Sequence, residues 1–127
     1  MRIEFWRRFH ADVERFRSRG SDCEVAVNQF EVRRWDVRFT KKRSGHPPAS
    51  ITLDIVEHAP SRDHFLVAVT PTLRLEDTET AGERQLLSIY YDAGSDRYTL
   101  QADHGPVDES RLSDYFAALA ATWLATV

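Results

Sequence analysis

Apolar and polar positions alternate with two different periods along this chain, and the change of period divides it into helix, sheet and helix. In residues 2–19, Phe5, Phe9, Val13 and Phe16 fall on one side with Trp6 at its border, while Arg7, Arg8, Asp12, Glu14, Arg15 and Arg17 fill the rest. Steps of three and four are the period of one helix face, so this stretch predicts an amphipathic helix. Gly20 is its natural stop, and Arg17 and Arg19 favour the negative end of the helix dipole.

From residue 23 the period drops to two. Cys23, Val25 and Val27 alternate, Phe30 and Val32 alternate out of phase, and Trp35, Val37 and Phe39 return to the first phase. A strand changes phase only through a bulge or a turn, which predicts strands over 23–32 and 35–41 joined near Arg33-Arg34. Ser21-Asp22-Cys23-Glu24 also fits a helix capping box, but β-branched Val25, Val27 and Val32 favour strand. Lys41 to Ser50, with Gly45 and Pro47-Pro48, reads as a loop. Ile51, Leu53 and Ile55 mark the next strand, and Ala59 to Asp63 a turn containing Pro60. Phe65, Val67, Val69, Pro71, Leu73 and Leu75 then share one face of the longest strand, where Pro71 marks an edge or a bulge. Glu76 to Glu83 reads as an acidic loop, Leu86 to Tyr91 as a strand, Asp92 to Asp96 as a hairpin loop, and Tyr98 to Ala102 as the last strand.

The period returns to that of a helix after Gly105-Pro106. Asp108, Ser110 and Ser113 are candidate caps, and Leu112, Tyr115, Phe116, Leu119, Trp123, Leu124 and Val127 step by three and four. Tyr115 to Val127 carries no charge, and Ala117, Ala121 and Ala125 form a second, smooth stripe. A helix lying on a sheet needs one apolar stripe. The expectation is that the large stripe covers the sheet and the alanine stripe meets a second copy in a homodimer. Short connections favour antiparallel pairing. The predicted fold is α+β: an N-terminal helix, an antiparallel sheet of about five or six strands, and a C-terminal helix packed on it.

The chain has 127 residues and reads as a single α+β domain over 1–127. No apolar run reaches the ~20 residues of a membrane span, and Arg2-Ile3-Glu4-Phe5-Trp6-Arg7-Arg8 lacks a secretory core, so a cytoplasmic protein without a membrane partner is expected. The lone cysteine, Cys23, agrees with a reducing compartment and reads as a small core residue. The net charge of −3 hides an asymmetry: residues 1–43 hold twelve Lys/Arg against seven Asp/Glu, and residues 44–127 five against thirteen.

Arg33, Arg34, Arg38, Lys41, Lys42 and Arg43 form a basic cluster around Trp35, the composition of a single-stranded nucleic-acid surface. Trp35 is in phase with Val37 and Phe39, which makes it core first, and the overall acidity argues against a nucleic-acid partner. His58 and His64 flank the Pro60 turn but match no metal-ligand spacing. Asp92-Ala93-Gly94-Ser95-Asp96 lacks the spacing of a calcium loop. The carboxylates Glu76, Asp77, Glu79 and Glu83 sit in a solvated loop, which suits no tuned acid–base pair. No nucleophile elbow, phosphate loop or zinc-protease motif is present, so no catalytic residue, metal or cofactor is assigned.

The helix–sheet–helix build is broadly similar to bacterial secretion chaperones and related dimeric adaptors, a likeness of fold alone. The smooth second stripe on the last helix and the absence of catalytic motifs point to a non-enzymatic protein-binding or adaptor module, chaperone-like and homodimeric. The alternatives are a nucleic-acid-associated protein using residues 33–43, or a small-ligand domain with a pocket lined by Trp6, Tyr90, Tyr91 or Tyr98.

Overall fold

The structure is a computed structural model, which describes residues 2–18, 23–31, 33–60, 64–102 and 105–126, with residues 2, 3, 13–18, 23, 59 and 60 described by backbone alone. Helix α1 (Arg2–Ser18) is followed by strands β1 (Cys23–Glu31), β2 (Arg34–Arg43), β3 (His46–Pro60), β4 (His64–Leu75), β5 (Thr78–Ala81), β6 (Gln85–Asp92), β7 (Arg97–Ala102) and β8 (Gly105–Asp108). A one-turn 3₁₀ helix, Glu109–Arg111, leads into α2 (Leu112–Leu124). The sheet is antiparallel throughout, in the order β1-β2-β3-β4-β6-β7-β8, with β5 also paired to β4. The α+β class is as the periodicities imply, with eight strands in place of five or six.

Two segments read as loops are strands joined by tight turns. Ser44-Gly45 closes β2 onto β3, and Gly45 supplies the left-handed φ of +73°. Pro47-Pro48 falls between the pairs Lys41↔Ala49 and Arg43↔His46, where the register slips and no ladder donor is needed. The acidic loop is likewise a hairpin: Glu76, at φ +54°, turns β4 into β5. β5 and β6 run in the same direction along one edge of β4 and are in effect one strand broken at 82–84. The Gly82 N–H donates to the Pro71 carbonyl at 2.8 Å, so Pro71 turns its donorless nitrogen toward that break. The expected irregularity at Pro71 is this bulge.

The phase change in the first strand is also real. Register slips between Gln29 and Glu31, and Phe30 stands 58% exposed. Gly20, Ser21, Asp22, Val32, the turn at 61–63, His104 and Val127 lie outside the described residues, as do the side chains of Val13, Phe16 and Cys23.

Both helices cover one face of the sheet. Ile51, Leu53, Ile55, Phe65, Val67, Val69, Ile89, Tyr98 and Leu100 are buried under Phe5, Trp6, Phe9, Leu112, Phe116 and Leu124. Phe5 is the hub of an aromatic cluster, edge-on to Trp6 at 5.1 Å, Phe65 at 5.1 Å and Tyr98 at 5.3 Å. Phe9 bridges to Trp35 at 5.5 Å and to Phe116 at 5.9 Å, which joins both helices to β2.

The buried stripes are rotated from the expected ones. On α1, Trp6 is fully buried and Asp12 is buried with Phe5 and Phe9. On α2 the stripe is Leu112, Ser113, Phe116, Ala120 and Leu124, while Tyr115, Leu119 and Trp123 are half-buried. The cause is the pairing of the helices: Asp12 docks on Ser113, which turns that side of α2 inward.

Candidate interaction surface

The space between helices and sheet, lined by Trp6, Phe9, Ile55, Val67, Leu100 and Phe116 among others, holds a void of about 10 Å³. That is room for one water at most. Trp6 and Tyr98 are part of this filled core, Tyr91 is half-buried, and Tyr90 stands on the other side of the sheet. The sheet itself therefore separates Tyr90 from the other three.

The face opposite the helices carries neither helix. Its side chains follow from strand alternation and register: even-numbered positions of β2, β3, β4 and β6 point there. One row reads Arg34, Val56, Ala68, Leu86 across four strands; the next reads Asn28, Asp36, Asp54, Thr70. A third reads Ala26, Arg38, Thr52, Thr72. On the other side of the first row lie Leu66 beside Ser88, then His64 beside Tyr90. Among the described residues the large exposed apolar side chains are Phe30 at 58%, Leu86 at 47% and Tyr90 at 40%, and all three stand on this face. Two are braced by neighbours: the Arg34 guanidinium lies 5.3 Å over the Phe30 ring, and His64 stacks on Tyr90 at 4.8 Å.

At the centre of the face, Asp36 and Asp54 are direct cross-strand partners. Like charges opposite one another are destabilising. Burial, then the hydrogen bond to Asp54 and its charge, push the Asp36 carboxyl above the usual range, against the pull of Arg34 and Arg38. Asp54 Oδ1 is inaccessible to water and accepts no hydrogen bond among the described residues; the Arg34 Nε stops 3.8 Å away.

The six basic residues do not share one surface. Arg34, Arg38 and Lys42 follow each other along the open side of β2, with Lys42 3.9 Å from Glu24. Lys41 is on the helix side, its Nζ 3.5 Å from the Leu124 carbonyl at the C-terminal end of α2. Arg43 donates to the Pro47 carbonyl at 2.9 Å. Arg33 pairs at 3.3 Å with Glu57, a carboxylate that also accepts from the Trp6 indole at 3.5 Å. Trp35 is buried against Phe9 and His10 of α1. On α2, Ala117 is half-buried and Ala121 and Ala125 are exposed.

A polar cleft of about 360 Å³ lies between α1, the β6–β7 turn and the 3₁₀ helix. Arg8 occupies it, donating to the Asp96 carbonyl at 2.9 Å, to Asp96 Oδ2 at 3.0 Å and to Glu109 at 3.2 Å. The Tyr91 hydroxyl donates to Asp96 Oδ1 at 2.7 Å; this bond and Arg8 hold the Asp96 carboxyl below the usual range. Arg8, Asp96 and Glu109 are thus spent on each other, and the cleft acts as a latch on α1. Residue types alone did not reveal it, since Arg8, Asp96 and Glu109 are far apart in sequence. Asp12 did leave a signal: it sits at a core position of the helix repeat, between Phe9 and Phe16.

Among the described residues no group of three or more His, Cys, Asp or Glu side chains is placed to hold a metal, and no helix is long and apolar enough to cross a membrane. No protein-family model, curated protein or solved structure matches the chain.

Proposed function

We propose that this chain is a non-enzymatic protein-binding or adaptor module that acts as a homodimer and works through the open face of its sheet. The observation that carries this reading is the common location of Phe30, Leu86 and Tyr90: large apolar side chains left in water on the one broad face that the helices do not cover. Exposed apolar surface rimmed by polar groups marks interaction sites. The Thr- and charge-rich rows beside it supply the polar rim. The void of about 10 Å³ between helices and sheet speaks against a small ligand held there.

A nucleic-acid role keeps one supporting observation, that Arg34, Arg38 and Lys42 share the face with Phe30 and Tyr90. Asp36, Asp54 and Glu24 oppose it there. Binding of that kind falls steeply with salt.

A photo-crosslinking residue at position 86, compared with one at Asp114 on the outer side of α2, tests the proposal in living cells. A protein adduct at 86 that disappears with Tyr90→Arg, and is missing at 114, supports it. Equal adducts at both positions, or none at 86, overturn it.

A further inference from the structure

Resting on the homodimeric part of that reading, and leaving the occupant of the open face aside, we infer that two copies of this chain join through the outer edge of β1, antiparallel, into one continuous sheet.

The parity of the backbone hydrogen bonds shows what that edge offers. The Glu57 N–H donates to the Arg33 carbonyl at 3.0 Å, so Arg33 and the odd-numbered residues of β2 after it turn their backbone groups toward β3. The even-numbered residues of β2 then serve β1, where their partners are Glu24, Ala26 and Asn28. Val25 and Gln29 therefore point N–H and C=O away from the sheet, where no strand stands and no hydrogen-bond partner occurs among the described residues.

The free edges of the sheet are not alike. β5 and β8, the other strands with one neighbour, have four residues each, and β8 carries Pro106. Short length and proline keep an edge from pairing. β1 has nine residues and no proline, glycine or lysine.

The strand also fits itself. A strand added to β1 continues both faces of the sheet, so it needs apolar residues on the helix side and polar or small ones on the open side. β1 has that pattern: Val25 and Val27 pack on the core, while Glu24, Ala26 and Asn28 are exposed. A two-fold through Val27 keeps each face in register and sets Val25 opposite Gln29, Ala26 opposite Asn28 and Glu24 opposite Phe30. Val25 and Gln29 then exchange a pair of backbone hydrogen bonds on each side of the axis. Val27 has a partner within its own chain, and these bonds do not draw on it. Glu31 lies past the register slip, so no carboxylate of β1 faces another. Glu24 arrives beside the Phe30 ring and the Arg34 guanidinium that lies over it, which covers the exposed ring and sets opposite charges together. This two-fold stands perpendicular to the sheet, so both open faces look the same way and present one doubled surface to a partner.

Sedimentation velocity between about 1 and 100 µM, paired with amide hydrogen exchange, tests the inference. The unmodified chain runs as a dimer at the upper concentration. Its Val25 and Gln29 amides exchange at least tenfold more slowly there than at the lower one, while the Ala26 and Asn28 amides, bonded to β2, are protected alike at both. Gln29→Pro removes only an outward donor, keeps the ladder to β2 and weakens the dimer at least tenfold. Leu86→Arg on the open face and Ala121→Glu on α2 leave the dimer intact. Circular dichroism checks the fold of each variant, and the exchange pattern of the unmodified chain decides the matter if Gln29→Pro does not fold. A monomer at every concentration overturns the inference. So does a dimer whose Val25 and Gln29 amides stay unprotected, one that Gln29→Pro leaves as tight as before, or one that Leu86→Arg or Ala121→Glu splits. The adduct at position 86 is read separately: if it persists in a monomeric protein, the protein-binding reading stands without this dimer, and if it is missing while the β1 dimer forms, that reading falls and the dimer stands.

Discussion

The Asp12 carboxylate on α1 accepts a hydrogen bond from the Ser113 backbone N–H at 2.7 Å and another from the Ser113 hydroxyl at 3.1 Å. Both residues are buried, at 4% and 3% exposure. A residue near the start of the chain therefore supplies the acceptor for an orphan donor at the N-terminus of the last helix, where a negative charge is favourable.

This contact sets the first prediction. Asp12→Ala leaves a buried N–H without its acceptor and is expected to cost about 2–3 kcal/mol. Ser113→Ala keeps the N–H bond and should cost about 1 kcal/mol. Urea denaturation checks both, and the double variant should cost less than the sum, since the two share one interaction. Equal small losses for both single variants would show that the carboxylate does not hold the helices together.

Gly82 carries the second. A Cβ at this position would lie 2.5 Å from the Trp123 ring and 2.8 Å from the Pro71 side chain. Gly82→Ala is thus expected to destabilise by about 1–3 kcal/mol through overpacking. Trp123→Leu should lose packing of its own but remove most of the penalty of Gly82→Ala when combined with it. Thermal melts of the three variants read the coupling; strict additivity would mean that the ring does not seat on the bulge.

The central strands set the third. Val67 is 2% exposed between the sheet and both helices. Val67→Ala should cost about 1–3 kcal/mol from lost burial and the remaining cavity. A midpoint unchanged in denaturant melts would put this face of β4 outside the core.

How far the chain could be read in advance varies with the kind of interaction. Alternation along Ile51 to Ile55 and Phe65 to Leu75, and the three-and-four steps of both helices, follow from burial of one face, which acts residue by residue and leaves a periodic trace. Turn chemistry at Ser44-Gly45 and Glu76-Asp77 was less legible. Charged and proline-rich neighbours mask a tight turn, and Glu76 adopts a left-handed φ that its residue type does not advertise. The exposed face was the least legible. Leu86 and Tyr90 look like one side of a strand buried on both sides, and only the location of both helices on the opposite face shows that they meet water. The split of the basic cluster at residues 33–43 follows from the same alternation, once the strand is known to extend through Arg43.

Acid titration provides the fourth prediction. The Asp36 carboxyl is held above the usual range, chiefly by burial and then by Asp54. The folded chain thus binds this proton more tightly than the unfolded chain. The stability it contributes is present below the unfolded value of ~4 and is lost as pH rises through the folded value. Asp36→Asn removes the repelling charge while keeping the shape, so it should stabilise the isolated chain at pH 7, by under about 1 kcal/mol because water and the nearby arginines screen the pair. The gain should shrink as pH falls below the folded value. Denaturant midpoints at pH 7 and pH 4 check it, and a variant less stable than its parent only at pH 7 would contradict the assignment.

The central claim is that the open sheet face is occupied in the working protein. A cysteine probe at position 86, Leu86→Cys in a Cys23→Ser background, reads this directly through its rate of maleimide labelling. The account predicts labelling at least tenfold slower in cells than in purified protein diluted below its association range, while Asp114→Cys on the outer side of α2 labels equally fast in both. Equal rates at position 86 in cells and in dilute solution would contradict it.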